Sequence, residues 1–281
     1  MYSGRLVGLC AAAVLITVVM PVVLPRVQAS LDSGAPARSF MSVVQSNLQD
    51  RGGAAPFSEP ADASGRMDKV RFDPVVRQIE GWTVSVDPSL LEGEHSEMGG
   101  QSLKMLANHL QRIAILVPKE QLARMQKLEI WIEHHHPTLG AMQYHPSVGW
   151  LKSHGHDPRL AKKVHITRAE SLLSRHQMIK HPAVVLHELA HAYHDQYLGF
   201  DEPRIVEAYE KAKAAGMYEN VLLYTGQRVR HYAMTDQKEY FAEGTEAYFY
   251  RNDFYPFVRA ELKEHDPVLH DLLSDIWGAL Q

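Results

Sequence analysis

Cysteine is almost missing: the 281 residues contain one, Cys10. An intrachain disulfide is therefore excluded, so core packing, aided at most by a metal, must hold the fold. Cys10 sits inside an N-terminal apolar run, so a metal site in the folded part has to use nitrogen and oxygen donors. A charge excess of one sign is also lacking. Lys and Arg number 29 against 33 Asp and Glu, a formal net charge of -4, and nothing in that balance points to nucleic acid as a partner. An internal repeat, a glycine-rich phosphate loop and a nucleophile elbow are not evident either, which argues against a solenoid, a nucleotide cradle and serine-esterase chemistry. What the chain has in excess is histidine, with 17 residues, more than a single metal can use.

The N-terminus reads as an export signal. Arg5 supplies a positive start, Leu6 to Leu24 is almost wholly apolar, and Val27-Gln28-Ala29 is a small-residue cleavage pattern. Residues 1–29 are thus expected to be a signal peptide with the mature chain starting near Ser30; the alternative is an uncleaved membrane anchor over 6–24, giving a tethered protein. Either implies a secreted, periplasmic or cell-surface location. Residues 30–70, rich in Ser, Ala, Gly, Pro and Asp, read as a flexible linker, and 71–281 as one domain.

Within that domain the most informative stretch is His181-Pro182-Ala183-Val184-Val185-Leu186-His187-Glu188-Leu189-Ala190-His191. Its apolar residues recur at helical spacing and predict a buried helix. Residues four apart lie on one helix face, so His187 and His191 present two imidazoles to one ion. Glu188 is displaced by about 100° around the axis and stands beside the ion, where it can take a proton from water at the metal. A catalytic zinc takes three protein ligands and leaves one position open. A third histidine six residues past His191 is lacking; Tyr197 stands there. The third ligand is therefore sought on a second helix, Lys238-Glu239-Tyr240-Phe241-Ala242-Glu243-Gly244-Thr245-Glu246, where Glu239, Glu243 and Glu246 share one face. An acidic face among aromatic residues requires an opposing cation. Two imidazoles and a carboxylate favour one Zn2+.

An HExxH helix followed by Glu239-Tyr240-Phe241-Ala242-Glu243 resembles the gluzincin zinc metallopeptidases, in particular the branch typified by anthrax lethal factor; the motifs span residues 181–250. The resemblance implies that Glu239 is the third ligand and that Glu243 orients a liganding imidazole from the second layer. Glu246 joins that layer, or replaces Glu239 as ligand. It further implies that Tyr232, seven residues before Glu239, donates to the developing oxyanion.

The expected fold is α+β and zincin-like: a small twisted N-terminal sheet, a mainly helical C-terminal half, and the HExxH helix between. Strands are predicted at 79–86, 128–133 and 164–166, and helices at 100–117, 201–215, 238–249 and 268–280, with a long loop over 140–159. An edge strand would bind extended peptide by β-addition. His136 and His145 are candidates to line the substrate cleft. The functional expectation is an exported zinc metallohydrolase acting on peptide or protein. Two alternatives share the residues: an inactive zincin-like binding module with structural zinc, and a zinc amidohydrolase acting on a non-protein amide.

Overall fold

The computed structural model describes residues 70–278. The signal or anchor expected at 1–29 and the linker up to about residue 70 lie outside the described residues. Among the described residues no helix is long and apolar enough to cross a membrane.

The N-terminal half is built on a five-stranded sheet: β1 (Val75–Ile79), β2 (Trp82–Val86), β3 (Glu129–Ile132), β4 (Gln143–Tyr144) and β5 (Lys163–Ile166), in the order β1-β2-β3-β5-β4. The three central strands run parallel, and the outer two, β1 and β4, pair antiparallel to their neighbours. Alternation decides what each face carries. Trp82, Val84, Val86, Ile130, Ile132, Val164 and Ile166 form the fully buried face. The helix Ser96–Leu116 covers that face through Leu106, Leu110 and Ile113. The other face presents Ser85, Trp131, Glu133 and His165, which are also buried. Leu151 and Leu160 cover Trp131 there.

Two elements differ from the sequence expectation for a local reason. The single strand expected at 79–86 is a hairpin: Glu80 and Gly81 adopt φ of 50° and 93° and reverse the chain into β1. Three of the five β1 residues are exposed, so no apolar alternation announced it. The loop expected at 140–159 contains β4 and a short helix, Val148–Ser153, whose first turn is capped by Ser147 Oγ accepting from Trp150 N–H at 3.1 Å.

The HExxH helix, Val184–Tyr193, packs on β5 and β4 and against the glutamate-bearing helix Gln237–Phe249. Every residue of it but His191 is buried. It runs directly into a π-helical turn, His194–Leu198, closed by Gly199 at φ 85°. The glutamate helix is buried from Glu239 to Phe249. Its Gly244 admits the C-terminal helix Pro267–Trp277, because a Cβ there would lie 2.7 Å from Leu269 Cδ2. Asp266 ties the two together: its Oδ2 accepts from Tyr240 at 2.6 Å and Tyr218 at 3.0 Å, while Oδ1 caps Leu269 N–H at 3.0 Å. The domain is α+β, with the five-stranded sheet ahead of the HExxH helix and mainly helix after it, as expected.

Candidate metal centre and active site

The HExxH helix delivers its two histidines from successive turns. The glutamate helix delivers Glu239 from its own first turn, which is held by Asp236 accepting from the Lys238 and Glu239 N–H groups at 2.9 and 3.0 Å. Three donor atoms then converge. His191 Nε2 lies 3.0 Å from His187 Nε2 and 3.3 Å from Glu239 Oε2, and His187 Nε2 lies 3.2 Å from the same oxygen. Donors placed tetrahedrally ~2.0–2.1 Å from zinc stand roughly 3.3 Å apart. The triad His187, His191 and Glu239 therefore has the chemistry and the spacing of a zinc site.

A second group of three potential donors, His181, His187 and Glu246, overlaps the first. Its spacing is different. Glu246 Oε1 lies 2.6 Å from His187 Nδ1 and 2.8 Å from His181 Nε2, which are direct hydrogen-bond lengths. Glu246 is thus placed behind the zinc triad, gripping the far nitrogen of His187 and leaving Nε2 to face Glu239 and His191. That is how a second-layer carboxylate orients a liganding imidazole. Glu243, assigned that task by the family resemblance, stands farther off, 4.0 Å from His187 Nδ1, and accepts from Asn252 Nδ2 at 2.7 Å. His181 belongs to the motif stretch, but its spacing to His187 matches no helical repeat, so its partnership with Glu246 was not readable.

The electrostatics follow from burial and partners. Burial alone would lower His187, but its hydrogen bonds to Glu239 and Glu246 raise it well above the ordinary histidine value. Burial would raise Glu239, yet His191 and His187 hold its carboxyl below the usual range. These are the signs of a cluster that gathers positive charge between carboxylates. Glu188 has the opposite fate: burial pushes its carboxyl up to about 7, against the pull of His187 and His191. Its Oε2 accepts from the backbone N–H of Tyr144 on β4 at 2.8 Å, so the edge strand fixes the Glu188 side chain.

His187, Glu188, Tyr232 and Glu243 open into one cavity of about 240 Å³. Tyr232 opens a 3-10 turn, Tyr232–Met234, that packs on the glutamate helix. The structure thus brings together His187, Glu188, His191, Tyr232, Glu239, Glu243 and Glu246.

His136 and His145, expected to line a substrate cleft, are not among the residues that line this cavity. Strand alternation explains it. Val164 and Ile166 of β5 face the core, so His165 points to the opposite side of the sheet, and His145 pairs with it there. His145 Nε2 lies 3.0 Å from His165 Nδ1, and His165 Nε2 lies 3.0 Å from Glu133 Oε1. Glu133 also accepts from Trp131 Nε1 at 3.1 Å and pairs with Arg71 at 2.7 Å. With the carboxylate as acceptor, His165 donates from Nε2 and receives His145 Nε2–H on Nδ1. His136 Nδ1 accepts from the Leu139 N–H at 3.0 Å. Burial keeps all three neutral, lowering His136 to about 4, His165 to about 3 and His145 to about 2.

His187, His191 and Glu239 together could hold one metal ion. No protein-family model matches the chain, and no curated protein matches it in sequence. Among solved structures, the PRO-PRO endopeptidase PPEP-2 from Paenibacillus alvei is similar in fold to 71% of this chain and 99% of its own, at 19% identity and a TM-score of 0.40. At that distance the likeness speaks to neither activity nor substrate.

Proposed function

We propose that this protein is a zinc-dependent metallopeptidase that hydrolyses peptide bonds in the cavity beside the HExxH helix. The observation that carries the reading is the mutual 3.0–3.3 Å spacing of the His187, His191 and Glu239 donors, with His187 and Glu188 lining one cavity. His187, His191 and Glu239 would hold the zinc, which would supply Lewis-acid chemistry toward a carbonyl and water. The chain's own groups do the rest. Glu188, steadied by the Tyr144 N–H, accepts the proton of the attacking water and returns it to the leaving amine. Tyr232 donates to the oxyanion that forms on the former carbonyl oxygen. Glu246 holds His187 in the tautomer that leaves Nε2 as the donor atom. We further propose that the protein works outside the cytoplasm, exported by residues 1–29; sequencing the N-terminus of protein recovered from its producing cell tests this, and a cytosolic chain beginning at Met1 would refute it.

The test of the enzyme reading is Glu188→Gln assayed with a mixed peptide library. The variant should bind one zinc per chain while cleavage falls about 10²–10⁴-fold. Cleavage at the wild-type rate would remove Glu188 from the mechanism. Stoichiometric zinc in a wild-type protein that cuts no peptide would favour the inactive binding module, or an amide substrate other than protein.

A further inference from the structure

Beyond the catalytic group, the cavity has a wall of one electrical sign. Setting aside Glu188 and Glu243, its lining contains no carboxylate, yet it includes Arg168 and Lys180. This is not the bias of the chain as a whole, which carries a formal charge of -4. Most of this wall comes from one continuous segment, 168–181, that runs from the end of β5 to the start of the HExxH helix.

Arg168 is the most telling member. Its neighbours Thr167 and Ala169 are buried, and the Ala169 N–H donates to the Glu133 carbonyl at 2.8 Å. Its own carbonyl accepts from Ser171 Oγ at 2.7 Å and Ser171 N–H at 3.0 Å. The backbone at this position is therefore pinned from both sides, while the side chain is exposed at the cavity. Arg71, Arg124, Arg159, Arg204 and Arg230 each pair with a carboxylate. Among the described residues Arg168 makes no such pair and no side-chain hydrogen bond. His176, one helical turn before Lys180, is exposed on the same wall. A guanidinium fork on a fixed backbone, opening into a cavity with a second cation, matches a carboxylate in charge and geometry.

We propose that the 168–181 wall is a carboxylate-recognition subsite centred on Arg168, so that the enzyme selects peptides carrying an acidic group close to the scissile bond. This rests on the peptidase reading above. The carboxylate comes either from an Asp or Glu side chain or from the free C-terminus of the peptide.

The experiment uses zinc-loaded full-length protein and a positional-scanning library of N-acetylated peptides, prepared both as C-terminal amides and as free acids. The quantity read is the ratio of kcat/KM for acidic over neutral residues at each position, taken within one protein preparation so that inactive protein cancels. The wild type should favour Asp or Glu at one position among the amides by about tenfold, or favour free acids over amides by as much. The first result assigns the subsite to a side chain, the second to a C-terminal carboxylate. The preference should shrink as salt is raised, fall to near unity in Arg168→Ala, and turn toward Lys and Arg in Arg168→Glu. A wild-type profile indifferent to acid, a preference insensitive to salt, or an unchanged preference in Arg168→Glu would each overturn the subsite while leaving the peptidase intact. A library left uncut by the wild type would overturn the peptidase reading and the subsite together.

Discussion

Two groups of histidines lie on opposite sides of the same sheet edge, and they behave in opposite ways. At the HExxH helix, two imidazoles turn their Nε2 atoms toward each other and toward a carboxylate oxygen, at 3.0–3.3 Å. Behind the sheet, His145 and His165 line up nitrogen to nitrogen and end on Glu133, each neutral and each supplied with a protein partner. The residue type is the same. What differs is whether the unshared electron pairs converge on one point or are passed along a chain. Convergence asks for a cation, whereas a chain completes itself with hydrogen bonds. Counting histidines in a sequence cannot separate the two.

Removing one member from each group should break the symmetry most sharply. His191→Ala should cost on the order of 3–4 kcal/mol of zinc affinity, about a quarter of what a four-ligand site supplies, with little change in unfolding of the metal-free protein. Zinc titration against a chelating dye reads the first quantity and urea unfolding the second.

His165→Ala should do the reverse, lowering stability by about 2–4 kcal/mol in urea because His145 and Glu133 lose a buried partner and a cavity opens, while zinc stoichiometry stays at one. Acid offers a variant-free form of the same comparison. His136, His145 and His165 have folded values of about 4, 2 and 3 against an ordinary 6.5. Between those limits the unfolded chain takes up protons that the folded one refuses, so stability is full above pH 6.5 or so and is lost as pH falls below it. The loss should reach ~1.4 kcal/mol per group per pH unit. A metal-free protein equally stable at pH 7 and pH 5 would contradict the neutral chain.

Glu246→Gln probes the link behind the zinc triad and should weaken zinc binding by about 10–100-fold, or ~1.4–2.7 kcal/mol. A matching loss in Glu243→Gln would mean that the more distant carboxylate shares the task.

The smallest effect belongs to His194, which is fully buried after the HExxH helix, packed against Phe200 and Phe241, with neither ring nitrogen hydrogen-bonded among the described residues. Replacing an unsatisfied polar ring by an apolar one of similar shape should be neutral or stabilising, so His194→Phe should hold or raise the midpoint of thermal unfolding, by no more than about 1 kcal/mol. A clear drop would show that the imidazole has a polar role.

Much of the fold was legible because periodicity is a local property. Leu106, Leu110 and Ile113 mark their helix at 3.6-residue spacing, and Ile130 and Ile132 mark their strand by alternation. β1 escaped because an edge strand with three exposed residues carries no such mark. β4 escaped because two residues are too few to show a period, although its Tyr144 N–H is what steadies Glu188.

Sequence alone determined the components of the centre. His187, Glu188 and His191 share one helix, and the offset of four residues sets their relative direction before any packing occurs. It also placed Glu239, Glu243 and Glu246 on one face of another helix, but helical spacing treats those three carboxylates alike. Only the tertiary structure decided among them. Packing brings Glu239 to the Nε2 side of His187 and Glu246 to its Nδ1 side, and it turns His136 and His145 away behind the sheet. The physical reason is that helix phase fixes direction within an element, whereas the distance between donors on different elements is set by how their side chains interlock.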